Sequence, residues 1–177
     1  MKKIFTPQTT LVMLLIVAAG VSRLIKIAPN VTAMGAMALF AGANFRNKKL
    51  AYAVPLVTML ATDLIIGFHR IMIPVYISFV ITVFIGTLIR ERKSFLTIAT
   101  GSLASSILFF LITNLPFWFG DRYPWNFAGI MESYVLSLPF LRNALIGDLA
   151  FNAILFGGYE LARRSLPALK ESSIVRS

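Results

Sequence analysis

Basic residues fall at four points along a chain that is otherwise apolar: Lys2 with Lys3, Arg46 with Lys48 and Lys49, Arg90 with Arg92 and Lys93, and Arg163 with Arg164. Each gap between clusters has room for two membrane crossings, since a helix needs about 20 residues to traverse the hydrocarbon core. Lys and Arg collect on the cytoplasmic side of membrane proteins. The spacing therefore predicts six spans with both termini inside. On that count twelve of the seventeen basic residues are cytoplasmic, while Arg23, Lys26, Arg70, Arg122 and Arg142 stay outside with no multi-residue basic run.

Composition points the same way, because 58% of the residues are hydrophobic and only 14% charged, against about 25% charged in an average soluble domain. The expected fold class is an all-α integral membrane bundle, a single membrane domain over residues 1–177. A net charge of +10 would suggest nucleic acid if it lay on one face of a soluble fold. Here the charges sit at span ends, where they fit lipid headgroups and orientation instead. The absence of cysteine excludes disulfides, thiolate metal sites and a cysteine nucleophile.

The expected spans cover about 8–25, 31–44, 50–68, 71–89, 95–119 and 141–162, with boundaries good to a few residues. The second is short for a perpendicular span, so a tilted, re-entrant or neighbour-shielded helix is expected there. An outer loop, 120–140, carries Asp121, Arg122, Tyr123, Pro124, Trp125 and Glu132, which suits an interfacial segment with a short helix. The amino terminus also imitates a secretory signal peptide, with Lys2 and Lys3 before an apolar run and small residues at Ala18, Ala19 and Gly20.

Polar groups inside apolar spans are the next guide. A carboxylate at mid-bilayer costs about 2.5–3.5 kcal/mol on insertion scales, and such groups face a bundle interior or a cavity. Asp63 and Asp148 are the two clear cases. Measured from Phe68, Asp63 lies about 7–8 Å below the outer surface; measured from Arg142, Asp148 lies about 9 Å below it. Asn114 joins the same layer, and Asn152 follows Asp148 one turn further along a stripe that continues through Leu155 and Tyr159. Arg23 is placed to pair with Asp63 or Asp148, and Arg142 to cap or anchor the outer end. Two readings stand: an outward-facing ligand pocket, or interhelical hydrogen bonds that only hold the bundle together.

Phe117, Trp118, Phe119, Tyr123, Trp125 and Phe127 gather at the outer end. They form either an interfacial aromatic belt or, through Tyr123 and Trp125, a lid over a planar ligand. Catalytic constellations are missing: His69 is the only histidine, which rules out a multi-histidine metal site, and no phosphate-binding glycine loop or zinc-protease motif occurs. An aspartyl pair of Asp63 and Asp148 is a weak alternative. The chain is read as no enzyme, with no cofactor.

The segments Pro29 to Phe40, Thr62 to His69, Phe110 to Asn114, Tyr123 with Pro124, and Leu138 to Asp148 resemble a family of small, uncharacterised bacterial membrane proteins, which implies a place in the cytoplasmic (inner) membrane of a bacterium. Such proteins are similar in size and six-helix layout to the substrate-binding S components of energy-coupling-factor (ECF) vitamin transporters. That resemblance implies uptake of a vitamin or similar metabolite from outside, with an energising module of membrane-coupling subunit and ATPases as partner; action alone or as a homo-oligomer is the other possibility. S components carry an Ala-xxx-Ala docking pattern in the first helix; here the nearest matches are Ala18 with Ser22 and Ala38 with Gly42. Some such relatives act alone on cobalamin, and for that ligand His69 would approach the metal, although interfacial packing or headgroup contact is the favoured reading of a lone histidine at a span end.

The expectation is thus a transport protein that binds a small solute through Asp63, Asn114, Asp148 and Asn152, with Trp125, Tyr123 and His69 at the mouth. The alternative is a structural or assembly protein whose buried polar groups serve packing only.

Overall fold

The computed structural model describes residues 6–25 and 31–166. Lys2, Lys3, Lys26, Pro29, Asn30, Lys170 and Arg176, all used in the sequence reading, lie outside the described residues. Within them the chain forms α1 (Pro7–Ser22), α2 (Met34–Asn44), α3 (Lys48–Ile66), α4 (Met72–Leu88), α5 (Phe95–Thr113), a 3-10 segment (Pro116–Arg122) and α6 (Phe127–Ser165). The expected six helices and all-α class are present. Three stretches are long and apolar enough to cross a membrane: α3, α5 together with the segment after it, and α6; α1, α2 and α4 are apolar but shorter.

Local chemistry fixes most helix starts. Thr6, Asn47, Ser94 and Asn126 each accept a backbone N–H from the first turn of the helix they precede, which satisfies donors that a helix cannot pair internally. Pro7 at the start of α1 needs no donor there. At its far end α3 stops at Gly67, whose φ of 100° is open to glycine and strained for other residues.

The short helix α2 is the centre of the molecule. Every residue from Ala36 to Ala43 is buried, and α2 packs against all five other helices. Small side chains make this possible. At the α2–α4 crossing a Cβ on Gly42 would collide with the Val83 carbonyl and come within 2.9 Å of the Gly86 Cα, so the two backbones touch as at small-residue crossings of membrane helices. The Ala38 and Gly42 pair, one of the two candidate docking patterns, is therefore used inside the molecule. Ala18 of the other pair is exposed on α1.

Other helices cap α2 at both ends. Its own preceding residue, Ala33, has no capping side chain; instead the Asp148 carboxylate of α6 lies against the first turn of α2, where a Cβ on Gly35 would collide with it, and accepts the Ser106 hydroxyl at 2.6 Å. At the opposite end Arg90 Nε and Nη2 donate to the Gly42 carbonyl at 3.2 and 2.8 Å, and Lys93 Nζ donates to Asn44 Oδ1 at 3.1 Å. An anion at the N-terminus and cations at the C-terminus both oppose the helix dipole favourably.

The helices alternate in direction. Asn44, Arg46, Arg90, Lys93 and Arg163 meet at one end, hereafter the basic end. Arg23, Gly35, His69, Asn114, Phe119 and Tyr123 meet at the other, the aromatic end. Outward faces between the ends are apolar, with Leu14, Leu64, Ile73, Phe84, Leu96 and Ile154 all exposed.

The sixth helix departs from expectation. It begins at Phe127, cap included in Asn126, and runs unbroken through Pro139 to Ser165, so most of the stretch expected as an outer loop, 120–140, is helical. Only Asn114 to Asn126 connects α5 to α6. Pro139, Arg142 and Asn143 read as a span boundary in sequence, yet an exposed proline within a long helix removes one hydrogen bond without ending it.

Candidate functional site

At the aromatic end a cavity of about 480 Å³ lies between α4, α5 and α6, with the first turn of α2 beneath it and the 3-10 segment over it. Its cause is the course of α6. Near the aromatic end the Ser133 hydroxyl donates to the Asn114 carbonyl at 2.6 Å, and deeper the Ser106 hydroxyl meets Asp148. Between these two ties α6 climbs about 22 Å from Ser133 to Asp148, whereas α5 covers only about 12 Å from Asn114 to Ser106. The two helices therefore do not run side by side over this stretch. The face of α6 bearing Ser137, Phe140, Ala144 and Asp148, at helical spacing, looks into the resulting gap.

The walls combine rings with isolated polar atoms. Phe79, Phe109, Phe119 and Phe140 supply apolar surface, and Thr82, Ser105, Thr113 and Ser137 interrupt it. Two of these hydroxyls are engaged: Thr82 donates to the Ser78 carbonyl at 2.9 Å and Thr113 to the Phe109 carbonyl at 2.7 Å. The Ser105 hydroxyl is different, being buried on the cavity wall without a hydrogen-bond partner. An unpaired buried hydroxyl is costly unless something fills its need. At the mouth stand His69, Asn114, Arg122 and Tyr123, with the Arg122 guanidinium 5.7 Å from the centre of the Tyr123 ring.

Of the residues singled out in the sequence, the cavity brings together His69, Asn114, Tyr123 and Asp148, along with Arg23. Asp63 is not among them. It is fully buried, held by Arg23 Nη1 at 2.6 Å and by the Tyr76 hydroxyl at 2.7 Å, and Arg23 also donates to Thr62 at 3.1 Å. The expected Arg23 pairing thus goes to Asp63, as a tie between the loop after α1 and helices α3 and α4.

Asn152 also lies outside this cavity, donating to Ser102 Oγ at 2.9 Å across the α5–α6 seam. Trp125 is exposed, edge-on to Phe117 at 5.9 Å, and does not line the cavity; a lid would consist of Phe119, Arg122 and Tyr123 instead. Arg142 is exposed and makes no ion pair among the described residues. Asp148 reaches a depth of about 10 Å below the end of α5, judged from its partner Ser106, although α6 continues well above Arg142.

Residues that sequence reasoning missed are the wall hydroxyls. Ser102, Ser105, Ser106, Phe109 and Thr113 follow one another at helical spacing along one face of α5, and this stripe was legible as an inward polar face. Its weakness as a signal is that Ser and Thr in membrane helices routinely satisfy themselves on the carbonyl one turn earlier. No group of three or more His, Asp or Glu side chains is placed to hold a metal among the described residues.

No curated protein and no solved structure matches the chain. Residues 3–169 match a family described only as a family of unknown function (DUF6580). The match covers nearly the whole length, and the chain belongs to that family.

Proposed function

We propose that this chain is a membrane-embedded solute-binding protein that takes up a small amphipathic metabolite, in the size range of a vitamin, from the outer face of a bacterial inner membrane. The cavity at the aromatic end carries the proposal. Its volume of about 480 Å³ falls within the roughly 300–1,000 Å³ of small-molecule sites, which are typically apolar with a few placed polar groups. Four phenylalanine rings favour a flat body, the Ser105 hydroxyl offers an unfilled hydrogen bond, and Arg122 with His69 favours an anionic or electron-rich end at the mouth. Support for the membrane setting comes from the three long apolar helices, the apolar outward faces and the gathering of basic clusters at one end.

The resemblance to S components rests on the six-helix layout and size alone. An energising module would meet α1 at the exposed Ala18 face; a chain that works alone or as a homo-oligomer would leave that face to lipid. Thermal stabilisation tests the binding claim, because a ligand that binds only the folded protein raises its apparent stability by mass action. A panel of vitamins and related heteroaromatic acids is expected to contain compounds that raise the melting temperature of the purified protein and fail to do so in Ala144→Trp, which places an indole in the cavity.

A second reading, that buried polar groups serve assembly only, draws on one observation. Asp63 and Asp148, the two carboxylates that first suggested a site, are both paired within the bundle. A panel without a single stabilising compound would favour it.

A further inference from the structure

A second cavity opens at the basic end, about 740 Å³ in volume, between α5 and the last turns of α6, with Lys93, Asn152, Tyr159 and Arg163 among its walls. On α6 it reaches inward to Leu149 and Asn152, while the aromatic-end cavity reaches Asp148, on a different face of the same turn as Leu149. Two side-chain ties cross the α5–α6 seam at this level: Ser106 to Asp148 at 2.6 Å and Asn152 to Ser102 at 2.9 Å.

On either side of this seam lies an unfilled polar atom. Ser105 Oγ borders the aromatic-end cavity and Asn152 Oδ1 the basic-end one; both residues are buried, 4% and 2% exposed, and neither atom has a hydrogen-bond partner. A seam made only for packing would bury apolar side chains here, since unpaired polar atoms cost free energy. Two hydrogen-bonded ties of this kind are weak in membrane bundles, and a weak tie between two cavities is what a gate requires.

We propose that the α5–α6 seam at Ser102, Ser106, Asp148 and Asn152 is the gate of a solute path joining the two cavities. The proposal rests on the solute-binding reading above. Opening needs only that α6 separate from α5 over one turn, in the direction it already takes between Ser133 and Asp148. Asp148 also packs against Gly35 in the first turn of α2, so the central helix and the gate are mechanically joined.

The absence of cysteine from the chain allows a direct test without any solute. Ser105→Cys and Asn152→Cys are made separately, reconstituted in vesicles of known orientation, and exposed from either side to a membrane-impermeant thiosulfonate. Ser105→Cys is expected to react from the aromatic end and Asn152→Cys from the basic end. In a Ser102→Ala/Ser106→Ala background, loss of both ties is expected to speed reaction of Ser105→Cys from the basic end about tenfold. Should the double background be polydisperse, Ser102→Ala alone carries the measurement. Unchanged sidedness in a monodisperse protein overturns the gate and leaves the binding cavity standing. A Ser105→Cys inert from both ends overturns the cavity reading itself.

Discussion

Replacement of Asp148 is the most informative single perturbation, because its carboxylate sits at the first turn of a helix that is not its own. In Asp148→Ala the N-terminus of α2 loses a buried anion beside Gly35, a charge–dipole interaction worth about 0.3–2 kcal/mol. The Ser106 hydroxyl loses its partner across the seam, at a cost near the membrane-bundle average of about 0.6 kcal/mol. The expected loss is therefore about 1–3 kcal/mol of folding stability.

Asp148→Asn separates the contributions. Its amide oxygen can still accept the Ser106 hydroxyl, so only the interaction of a full charge with the dipole disappears, about 0.3–2 kcal/mol. Reversible unfolding in mixed micelles, followed by circular dichroism, measures both. The Asn variant should fall clearly between wild type and Ala. An Ala variant as stable as wild type would refute the stabilisation of α2 by Asp148, and an Asn variant no better than Ala would refute the Ser106 hydrogen bond as a contributor.

Gly42→Ala should destabilise by about 1–3 kcal/mol through overpacking, because its Cβ meets the α4 backbone. Gly157→Ala, with nothing within 4 Å of the added Cβ, should instead stabilise α6 by about 0.5–1 kcal/mol; the same unfolding assay reads both. Arg23→Ala leaves Asp63 buried without its cation and should cost about 3–5 kcal/mol, while Arg23→Met with Asp63→Leu should recover much of that loss. Trp125→Ala should leave the affinity of any panel compound unchanged, whereas Tyr123→Ala should weaken it severalfold in equilibrium dialysis.

Much of this architecture was legible in the sequence where a single physical effect dominated. Alternating helix direction follows from the basic clusters, and Thr6, Asn47 and Ser94 mark helix starts by their capping chemistry. That Arg23 pairs with a buried carboxylate follows from the cost of a buried charge, whereas the choice of Asp63 over Asp148 is made by the packing. Features that depend on two helices at once were not legible. Nothing in residues 141–143 reveals that α6 continues fourteen residues further towards Phe127, because Pro139 and Arg142 look alike at a helix end and on an exposed helix face. Asp148 looked like a ligand group because it packs against the backbone of α2 at Gly35, which no side-chain pattern records. Likewise Asn152 follows Asp148 at helical spacing, yet the seam turns the two into opposite cavities.

Binding in the aromatic-end cavity is read out by native mass spectrometry of the detergent-released protein with the panel's stabilising compounds. One molecule bound per chain in wild type, absent in Ala144→Trp and retained in Trp125→Ala, is the predicted result. Equal binding to wild type and Ala144→Trp would contradict it, as would no retained compound at all.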